Sequence, residues 1–476
     1  MDYWSEFLPL LPYIAIAFYT LAAVCAAREV MWSRTSQGSI AWLISLFFLP
    51  FPTVPLYFVF AWKHFGGYAT IQRERGNFED DIQSRHGAMV DHAANEQWPV
   101  HTRIAPLPFL KGNKSHLLID GEATFASILE GIRGAKDTIL FQFFIVRDDA
   151  LGEKIADALI ERAQANVQIF FLYDDIGSRT LSNAYISRLK SAGIFISGFN
   201  KRHRLLRMLG PMRLNYRNHR KIVVIDHDTC WVGGHNVGVE YLGQDKHFGH
   251  WRDTHVKVTG PAALAASLSF AEDWQWATGY PLELDPPKDI NTHEGEPILV
   301  MPTGPADPLE DCAIAFVETI SRARERLWIV SPYFVPGREV LTSLYAAALR
   351  GVDVRILLPR KADHRLVWLA SYAHADDLAS HGIKVYRYLE GFLHQKVVLV
   401  DNVLASIGTV NFDNRSFNIN FEITLWFTGK ETIQETASML ERDFNDARRT
   451  DSLELYNRPY LFRVLAQAAR LFSPVL

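Results

Sequence analysis

The chain carries one pattern twice, and this repeat constrains the fold more than any other feature. "NHRKIVVIDHDTCWVGGHN" occupies residues 218–236, and "LHQKVVLVDNVLASIGTVN" occupies residues 393–411. Each copy has a histidine and a lysine two positions apart, then an apolar run, an aspartate and a small-residue turn that ends in asparagine. A lone histidine of this kind is usually structural, but two copies in matching context indicate a duplicated functional unit.

The alternation of a strand decides which of these side chains act together. Residues two apart in a strand point to the same side of the sheet, so His219 and Lys221 share a face. The apolar run 222–225 that follows fits a strand buried on both faces. Asp226 stands at an odd offset, so we expect it on the opposite face, where it shapes the strand end or the contact between the halves. The second copy places His394, Lys396 and Asp401 in the same relation.

Helix-like and strand-like runs surround the two copies in the same order. In the first half, helix-like runs at 124–133 and 152–164 precede the strands "DTILFQFFIV" and "VQIFFLYD". The second half repeats this order with "CAIAFVETISRAR", "RLWIVSPYFVP", "EVLTSLYAAALR" and "VDVRILLP". The alternation predicts an α/β fold with a mainly parallel sheet covered on both faces. We predict an N-terminal region over 1–66, a linker over 67–105, and two domains over 106–285 and 286–476.

Two apolar runs within the N-terminal region are long enough to cross a bilayer. Residues 7–27 are free of charge, and residues 39–62 form a second run after a short polar loop. A cleaved signal peptide is disfavoured, because no Lys or Arg precedes the first run and another apolar run follows it. We therefore predict two transmembrane helices, and "LPFPTVP" indicates a kinked or re-entrant second one. The flanking basic residues lean only weakly toward a cytoplasmic catalytic region.

Charge and cysteine content exclude some classes of function. The chain has 49 basic and 53 acidic residues, a net charge of −4, so no overall basic excess favours nucleic acid. Cys25, Cys230 and Cys312 are far apart without a CxxC pair, which argues against a disulfide framework or a cysteine zinc site. The remaining histidines have no metal-binding spacing, so no metal site is predicted.

A basic segment with interleaved leucines and methionines lies directly before His219. Residues 201–221 contain no acidic residue. The composition is typical of a surface that meets an anionic membrane, and we expect it to guide lipid headgroups toward the histidine. The residues assigned to this guidance are Arg204, Arg207, Arg213 and Arg217.

The C-terminal "RPYLFRVLAQAARLFSPVL" is the second amphipathic segment. Leu461, Leu465, Ala468 and Phe472 recur at helical spacing. Packing on the second domain and insertion at a membrane interface are both compatible with this pattern.

A histidine fixed beside a lysine suits phosphoryl chemistry. The lysine neutralises phosphate oxygens, and the imidazole attacks phosphorus or moves a proton. Two such half-sites supply a two-step transfer, in which one histidine forms a covalent adduct and the other serves as acid and then base. The residues alone do not decide which histidine attacks. A third residue should orient each imidazole, and the candidate catalytic set is His219, Lys221, Asp226, His394, Lys396 and Asp401.

The paired motifs resemble the HKD motifs of the phospholipase D superfamily. "WRDTHVKVTGP", "SPYFVPGREVL", "GVDVRILLPRKADH", "GTVNFDNRSFNINFEITL" and the C-terminal segment are similar to bacterial cardiolipin synthases, as is the paired N-terminal anchor. The resemblance covers essentially the whole chain. It implies two N-terminal transmembrane helices followed in the chain by two tandem phospholipase D-like α-β-α domains. These two domains would form one pseudo-twofold active site. It also implies a multi-pass protein of the bacterial inner membrane.

The resemblance further implies that two phosphatidylglycerol molecules become cardiolipin and glycerol through a phosphohistidine, without a cofactor or an obligatory metal. The implied partners are phosphatidylglycerol and an anionic bilayer rather than nucleic acid, and a homo-oligomer stays open. His219 would be the nucleophile and His394 the general acid and base. Lys221, Lys396, Asn236 and Asn411 would hold the phosphate, and Asp253 and Glu422 would orient the imidazoles.

The two small-residue turns depart from the family pattern in one place. The first reads Gly233–Gly234 where many relatives have Gly–Ser, which removes one hydroxyl near the phosphate. The second has Thr409 at the corresponding position. We expect activity in spite of this difference.

Three other functions compete with this interpretation. A lipid hydrolase differs only in using water as the acceptor, and the motifs do not separate the two. A nucleic-acid phosphodiesterase is disfavoured by the apolar runs and the balanced charge. A membrane scaffold with an inactive duplicated fold is disfavoured because both histidines and both lysines are present.

Overall fold

The computed structural model describes residues 8–32, 36–61, 65, 67–72, 89–200, 215–284, 295–451 and 453–475. The chain divides into two compact units. One comprises Met1–His64 with Arg202–Tyr216, and the other comprises Phe65–Lys201 with Arg217–Leu476.

The described part of the N-terminal unit contains three apolar α-helices. They are α1 (Leu11–Met31), α2 (Ser36–Phe48) and α3 (Pro50–Phe60). The carboxylate of Glu29 in α1 is buried and accepts hydrogen bonds from Ser39 Oγ of α2 (2.8 Å) and Tyr57 Oη of α3 (3.0 Å). One buried acceptor thus joins the three helices.

Only α1, among the described residues, is long and apolar enough to cross a membrane. The predicted second span over 39–62 is divided between α2 and α3, with Pro50 opening α3 and Pro55 inside it. Proline lacks an N–H and clashes with the preceding helical turn, so this run does not continue as one helix. The two-helix prediction is therefore not confirmed, and the interrupted form suggested by "LPFPTVP" matches the observed break.

The larger unit is built on a mixed sheet of 15 strands, with two small two-stranded sheets beside it. The strands of the first half are β1 (Leu110–Ile119), β2 (Thr138–Phe143), β3 (Gln168–Tyr173), β4 (Phe195–Gly198), β5 (Ile222–Ile225), β6 (Thr229–Gly233), β7 (Trp251–Arg252) and β8 (Thr254–Thr259). Those of the second half are β9 (Glu296–Thr303), β10 (Arg326–Val330), β11 (Phe334–Val335), β12 (Asp353–Pro359), β13 (Lys384–Tyr388), β14 (Phe392–Leu393), β15 (Val397–Val400), β16 (Leu404–Gly408), β17 (Phe412–Asp413), β18 (Glu422–Phe427) and β19 (Ala447–Arg449).

The helices of the larger unit follow the same division. Before and within the first half they are α4 (His92–Gln97), α5 (Pro99–Ile104), α6 (Asp120–Gly134), α7 (Ala150–Gln164), α8 (Asn183–Ser191) and α9 (Ala262–Thr278). In the second half they are α10 (Asp311–Arg322), α11 (Arg338–Leu349), α12 (Arg365–Ser380), α13 (Asn414–Asn418), α14 (Lys430–Asn445) and α15 (Tyr460–Arg470).

The strand order shows the duplication directly. From the centre outward, the first half runs β1-β8-β6-β5-β2-β3-β4 and the second runs β9-β18-β16-β15-β10-β12-β13, with β19 added at the edge. The halves meet where β1 pairs with β9 in antiparallel orientation. The predicted α/β fold with two similar halves is confirmed, and both halves share one continuous sheet.

The prediction of a mainly parallel sheet is wrong. Among the described strands of this sheet, the parallel pairs are β2–β3, β3–β4, β10–β12 and β12–β13, which lie toward its two ends, and the other pairs are antiparallel. The strand that follows each His–Lys pair turns directly into a hairpin, β5–β6 in the first half and β15–β16 in the second. A hairpin makes its two strands antiparallel, so the centre of the sheet is antiparallel.

Helices cover both faces of the sheet, as predicted. On one face, Ile139 and Phe141 of β2 pack in a core with Phe125 of α6 and Ile155 of α7. On the other face, the side chain of Gln142 of β2 donates a hydrogen bond to the carboxylate of Asp273 in α9 (2.7 Å). In the second half, β10 likewise meets α14 through an edge-on aromatic contact between Trp328 and Phe444.

The segment predicted as a linker contains α4 and α5. Trp98, between these helices, is buried in the core of the second half, and His101 Nε2 lies 2.9 Å from Thr319 Oγ1 of α10. The chain therefore contacts the second half before it enters β1 of the first.

Candidate active site

The two His–Lys pairs lie immediately before the equivalent strands β5 and β15. The backbone N–H of His219 donates to the carbonyl of Phe421 (2.9 Å), and that of His394 donates to the carbonyl of Arg252 (2.8 Å). Each contact joins one half of the sheet to the other. The residue after each acceptor is a carboxylate, so the backbone register sets which carboxylate meets which imidazole.

Each imidazole is held by a carboxylate from the opposite half. His219 Nδ1 lies 2.9 and 3.0 Å from the two oxygens of Glu422, and His394 Nδ1 lies 2.7 Å from Asp253 Oδ2. Both carboxylates are fully buried. With Nδ1–H donating to the carboxylate, each ring keeps the lone pair of Nε2 for chemistry. Neither half has a complete site of its own.

The two lysines lie beside their own histidines. Lys221 Nζ donates to the carbonyl of His219 (2.7 Å), and Lys396 Nζ donates to the carbonyl of His394. Lys396 Nζ is also 2.9 Å from His394 Nδ1. Because that nitrogen already donates to Asp253, the carbonyl is the acceptor that Lys396 uses. Both ammonium groups are buried within the cluster and leave further N–H donors for an anion.

Burial sets the protonation of the cluster. It lowers the pKa of Lys221 to about 7 and that of Lys396 to about 8. Burial also lowers the pKa of His219 to about 4, although Glu422 opposes this, and burial with Lys396 holds the pKa of His394 well below its usual value. Burial raises the pKa of Glu422, but His219 and Lys221 outweigh it and lower the pKa overall. The site without ligand thus holds neutral imidazoles and an ionised Glu422.

The two carboxylates are supported differently. Glu422 also accepts hydrogen bonds from Thr409 Oγ1 (2.5 Å) and Asn420 Nδ2 (3.1 Å). Asp253 accepts from the backbone N–H of Thr254 (2.8 Å) and lies against Gly234, where an added Cβ would be 2.0 Å from Asp253 Oδ1. Glycine at 234 is therefore required by the close approach of Asp253, and the Thr409 hydroxyl is engaged by Glu422 rather than directed to a phosphate.

The two asparagines at the ends of the turns also differ. Asn236 Oδ1 accepts from the N–H of Ile145 (3.1 Å), and its Nδ2 donates to Tyr241 Oη (3.1 Å). Asn411 Oδ1 is buried without a hydrogen-bond partner among the described residues. Asn236 therefore braces the loop after β2, whereas the side chain of Asn411 is less committed.

Asp226 and Asp401 lie away from the imidazoles, as their parity predicts. Asp226 accepts hydrogen bonds from three consecutive backbone N–H groups, at residues 136–138. Asp401 does the same for residues 324–326. Each has a positive φ, 51° and 49°, in the turn that closes its hairpin. Both carboxylates fix the start of the neighbouring strand, which agrees with a role at the strand ends.

Of the four arginines assigned to headgroup guidance, Arg217 is the one that the structure describes. Arg204, Arg207 and Arg213 lie outside the described residues. Arg217 lies two residues before His219, and its backbone carbonyl accepts a hydrogen bond from the N–H of Phe421 (2.9 Å). Burial lowers the pKa of Arg217 to about 10, although Asp174 opposes this.

No group of three or more His, Cys, Asp or Glu side chains able to hold a metal ion occurs in the part of the chain that the structure describes. Cys25, Cys230 and Cys312 are buried and free.

Comparisons with known proteins match both the fold and the duplicated site. Residues 128–250 and 316–444 match the family model described as "Cardiolipin synthase, PLD-like domain". The chain is 41% identical to cardiolipin synthase A of Pseudomonas fluorescens strain SBW25, over 100% of both chains. It is 42% identical to cardiolipin synthase A of Pseudomonas aeruginosa strain LESB58, over 97% of this chain and 96% of the relative. The chain belongs to the cardiolipin synthase family.

The fold of this cardiolipin synthase family member is shared more widely. The crystal structure of phosphatidylserine synthase from Haemophilus influenzae Rd KW20 superposes with a TM-score of 0.58, over 79% of this chain and 99% of that one, at 17% identity. At this identity the likeness concerns the fold. Family membership makes the chain a membrane-associated phosphatidyltransferase.

The sequence did not reveal the buried carboxylates that support the cardiolipin synthase site from the opposite face of the sheet. Arg220, between His219 and Lys221, points to the other face of the sheet, where it pairs with Asp273 of α9 (2.9 Å) and donates to the carbonyl of Glu422 (2.9 Å). Tyr68 Oη donates to the same Asp273 (2.7 Å). In the second half, Asp443 of α14 accepts in the same manner from Gln395, the equivalent of Arg220, and also from Arg252 of the first half. The only sequence signal for these contacts was the alternation of side chains. Arg220 and Gln395 each stand between a histidine and a lysine, so they face the opposite side of the chain and need polar partners there.

Proposed function

We propose that the protein joins two phosphatidylglycerol molecules into cardiolipin and releases glycerol. The observation that carries this proposal is the exchange of carboxylates, in which His219 is oriented by Glu422 and His394 by Asp253. Two oriented, neutral imidazoles within one buried cluster suit a two-step transfer better than a single one.

In the first step, Nε2 of His219 attacks the phosphorus of one phosphatidylglycerol. An N–P bond forms, the P–O bond to the headgroup glycerol breaks, and His394 gives its proton to the leaving alcohol. The assignment of His219 as nucleophile follows the family pattern. Before this step His394 takes up a proton from water at Nε2, because the incoming phosphate adds negative charge that raises the pKa of His394. Asp253 stabilises the resulting imidazolium, and the proton is recovered from the acceptor hydroxyl in the second step. Lys221 and Lys396 neutralise the phosphate oxygens.

In the second step, the headgroup hydroxyl of another phosphatidylglycerol replaces glycerol. His394 takes the proton of this hydroxyl, the alkoxide oxygen bonds to phosphorus, and the N–P bond to His219 breaks. We assign Asn411 to the phosphate, to which its Nδ2–H2 group would donate a hydrogen bond. We assign Asn236, Gly234 and Thr409 to supporting the loop and the carboxylates. Asp226 and Asp401 hold strand ends.

Membrane attachment belongs to the same proposal. The helix α1 is proposed to span the bacterial inner membrane, and the interrupted pair α2–α3 is proposed to form the second, non-ideal passage of a multi-pass anchor. Arg217 and the preceding arginines would attract the anionic headgroup. The proposed domains, 106–285 and 286–476, each contribute one His–Lys pair. Catalysis therefore needs one copy of the chain, and a homo-oligomer would repeat the site rather than complete it. Nucleic acid has no part in this proposal.

The test follows the products that the purified full chain forms from phosphatidylglycerol in mixed micelles. We expect cardiolipin and free glycerol in equal amounts, and loss of both in His219→Ala and His394→Ala. Phosphatidic acid as the main product would instead establish a hydrolase. Turnover that survives in either variant would contradict the proposed chemistry.

A further inference from the structure

The C-terminal helix α15 packs on the second half with one side only. Ala466 and Ala469 are buried, and Phe462 contacts Trp368 and Tyr372 of α12 through edge-on ring pairs. Large apolar side chains lie exposed on the remaining surface of the helix and its end. This surface, which we name the C-terminal patch, consists of Tyr460, Leu461, Val464, Leu465, Leu471 and Phe472.

The exposure of the patch is large for a soluble surface. Leu461 is 69% exposed and Leu471 is 81% exposed. A groove of about 600 Å³ runs beside them, lined by Tyr456, Tyr460 and Val464 among others. Contiguous apolar surface of this kind marks an interaction site rather than ordinary scattered exposure.

Arginines lie in and beside the apolar groove. Arg463 is one of its lining residues, and the guanidinium of Arg458 lies 5.5 Å from the ring of Phe462 on α15. A second cavity, of about 450 Å³, is lined by Arg448, Arg449 and Arg458 together with Asp451 and Glu454. Arg387 lies 3.4 Å from Glu454 and offsets its charge. Arg463 stacks on the ring of Tyr456, at 4.7 Å, beside the groove. Apolar side chains bordered by arginine suit the boundary between acyl chains and anionic headgroups, because the guanidinium can stay in the polar layer.

The patch is attached to the loop that carries Asn411. Ala469 of α15 belongs to a small buried apolar cluster with Ala370 of α12 and Val335 of β11. The strand β11 pairs with β17, which begins directly after Asn411. Asn414 Nδ2 donates to the carbonyl of Ser473 just beyond α15 (2.8 Å). A surface that bound the C-terminal patch would therefore fix the orientation of this part of the catalytic cluster.

We propose that the C-terminal patch and its bordering arginines form a docking surface for an anionic phospholipid bilayer, separate from the catalytic cluster. The surface holds the second half against the bilayer. The basic border and the apolar area favour this occupant over water-soluble partners, and the same chain carries an apolar helix that is long enough to cross a bilayer. The inference rests on the proposed function only in taking lipid as the substrate.

The test places an environment-sensitive fluorophore on Leu461→Cys in the full chain. The three native cysteines are buried, so the label is directed to the new thiol. The labelled protein is reconstituted into vesicles of phosphatidylcholine with or without phosphatidylglycerol, in which some acyl chains carry a quencher. Leu349→Cys is the matched control, because Leu349 is 88% exposed at the end of α11, outside the patch.

We expect quenching of the label at residue 461 at least threefold stronger with phosphatidylglycerol than without it, and little quenching at residue 349. Arg448→Gln/Arg449→Gln should reduce the quenching at residue 461 to the level in phosphatidylcholine alone. It should leave cardiolipin formation in mixed micelles unchanged. Weak quenching at residue 461 in both vesicles, or equal quenching at 461 and 349, would overturn the proposal.

Disulfide-linked pairs formed by unlabelled Leu461→Cys chains under mild oxidation, together with weak quenching of the labelled protein, would overturn it in favour of a second copy as the occupant. The readout does not need turnover. Normal quenching in a protein that forms no cardiolipin would therefore count against the proposed function and not against the docking surface.

Discussion

The two half-sites share one frame but differ in their supports. His219 is held by a longer carboxylate, Glu422, that also binds the Thr409 hydroxyl, whereas His394 is held by the shorter Asp253 pressed against Gly234. In each half-site the residue of the turn matches the carboxylate that approaches it. The difference teaches that a nearly twofold fold can hold two unlike acid–base groups, as a reaction with one attacking and one proton-transferring histidine requires.

The carboxylates are expected to give the largest effect. Glu422→Gln and Asp253→Asn preserve shape but remove the charge that orients and stabilises each imidazole. We expect kcat to fall by about 10²–10⁴-fold in each, the range for groups that orient a catalytic histidine. Steady-state assays in mixed micelles measure this fall. A loss confined to one of the two variants would mean that only one histidine depends on its exchanged carboxylate.

Substitutions of the turn residues Gly234 and Thr409 should affect the two half-sites to different extents. In Gly234→Ala the new Cβ displaces Asp253, so we expect kcat to fall by about 100-fold, equivalent to about 2.7 kcal/mol of transition-state stabilisation. Thr409→Ser keeps the hydroxyl on Glu422 and should stay within about threefold of the natural protein, whereas Thr409→Ala should lose about tenfold. Circular dichroism of all three variants controls for folding. Equal tolerance of alanine at both positions would remove the distinction drawn between the turns.

The lysines predict a pH dependence with a defined sign. Burial lowers the pKa of Lys221 to about 7 and of Lys396 to about 8, so both are charged below pH 7 and become neutral as the pH rises. The free enzyme then loses the charge that attracts phosphate, and kcat/KM should decline between about pH 7 and pH 9. Lys221→Arg keeps its charge and should move the decline upward, more than Lys396→Arg does. An alkaline decline unchanged in both variants would assign it to another group.

Asp226 and Asp401 should give the smallest effect on catalysis. Each accepts three backbone hydrogen bonds away from the imidazoles, so Asp226→Ala and Asp401→Ala should lower the free energy of unfolding by about 1–3 kcal/mol. The kcat of the folded fraction should stay within about threefold. Chemical denaturation and active-site titration measure the two quantities. A loss of kcat as large as that of Asp253→Asn, in a stably folded variant, would return these aspartates to the catalytic set.

The sequence predicted the repeat, the faces of the strands and the displacement of Asp226 and Asp401, because all three depend on local spacing. Asp253 and Glu422 were reached only through resemblance, since their approach to His394 and His219 depends on a register between distant strands. Asp273 was missed, because a buried carboxylate on α9 has no local pattern that names its partner.

The N-terminal region was predicted less well than the site. The apolar composition of residues 39–62 indicates an apolar environment, but it does not show whether the run forms one continuous helix. The prolines divide it into two helices. The antiparallel centre of the sheet was missed for a similar reason, because strand order and direction arise from hairpins that an alternation of runs does not reveal.

The exchange of carboxylates between the halves has an evolutionary consequence. If the site were formed by two identical half-length chains, a single gene would encode both half-sites. Any substitution that suited the attacking histidine would then also be present beside its counterpart. Fusion into one chain removes that restriction. Glu422 with Thr409 and Asp253 with Gly234 can diverge as separate pairs, while each half stays under selection because the other half's histidine depends on it.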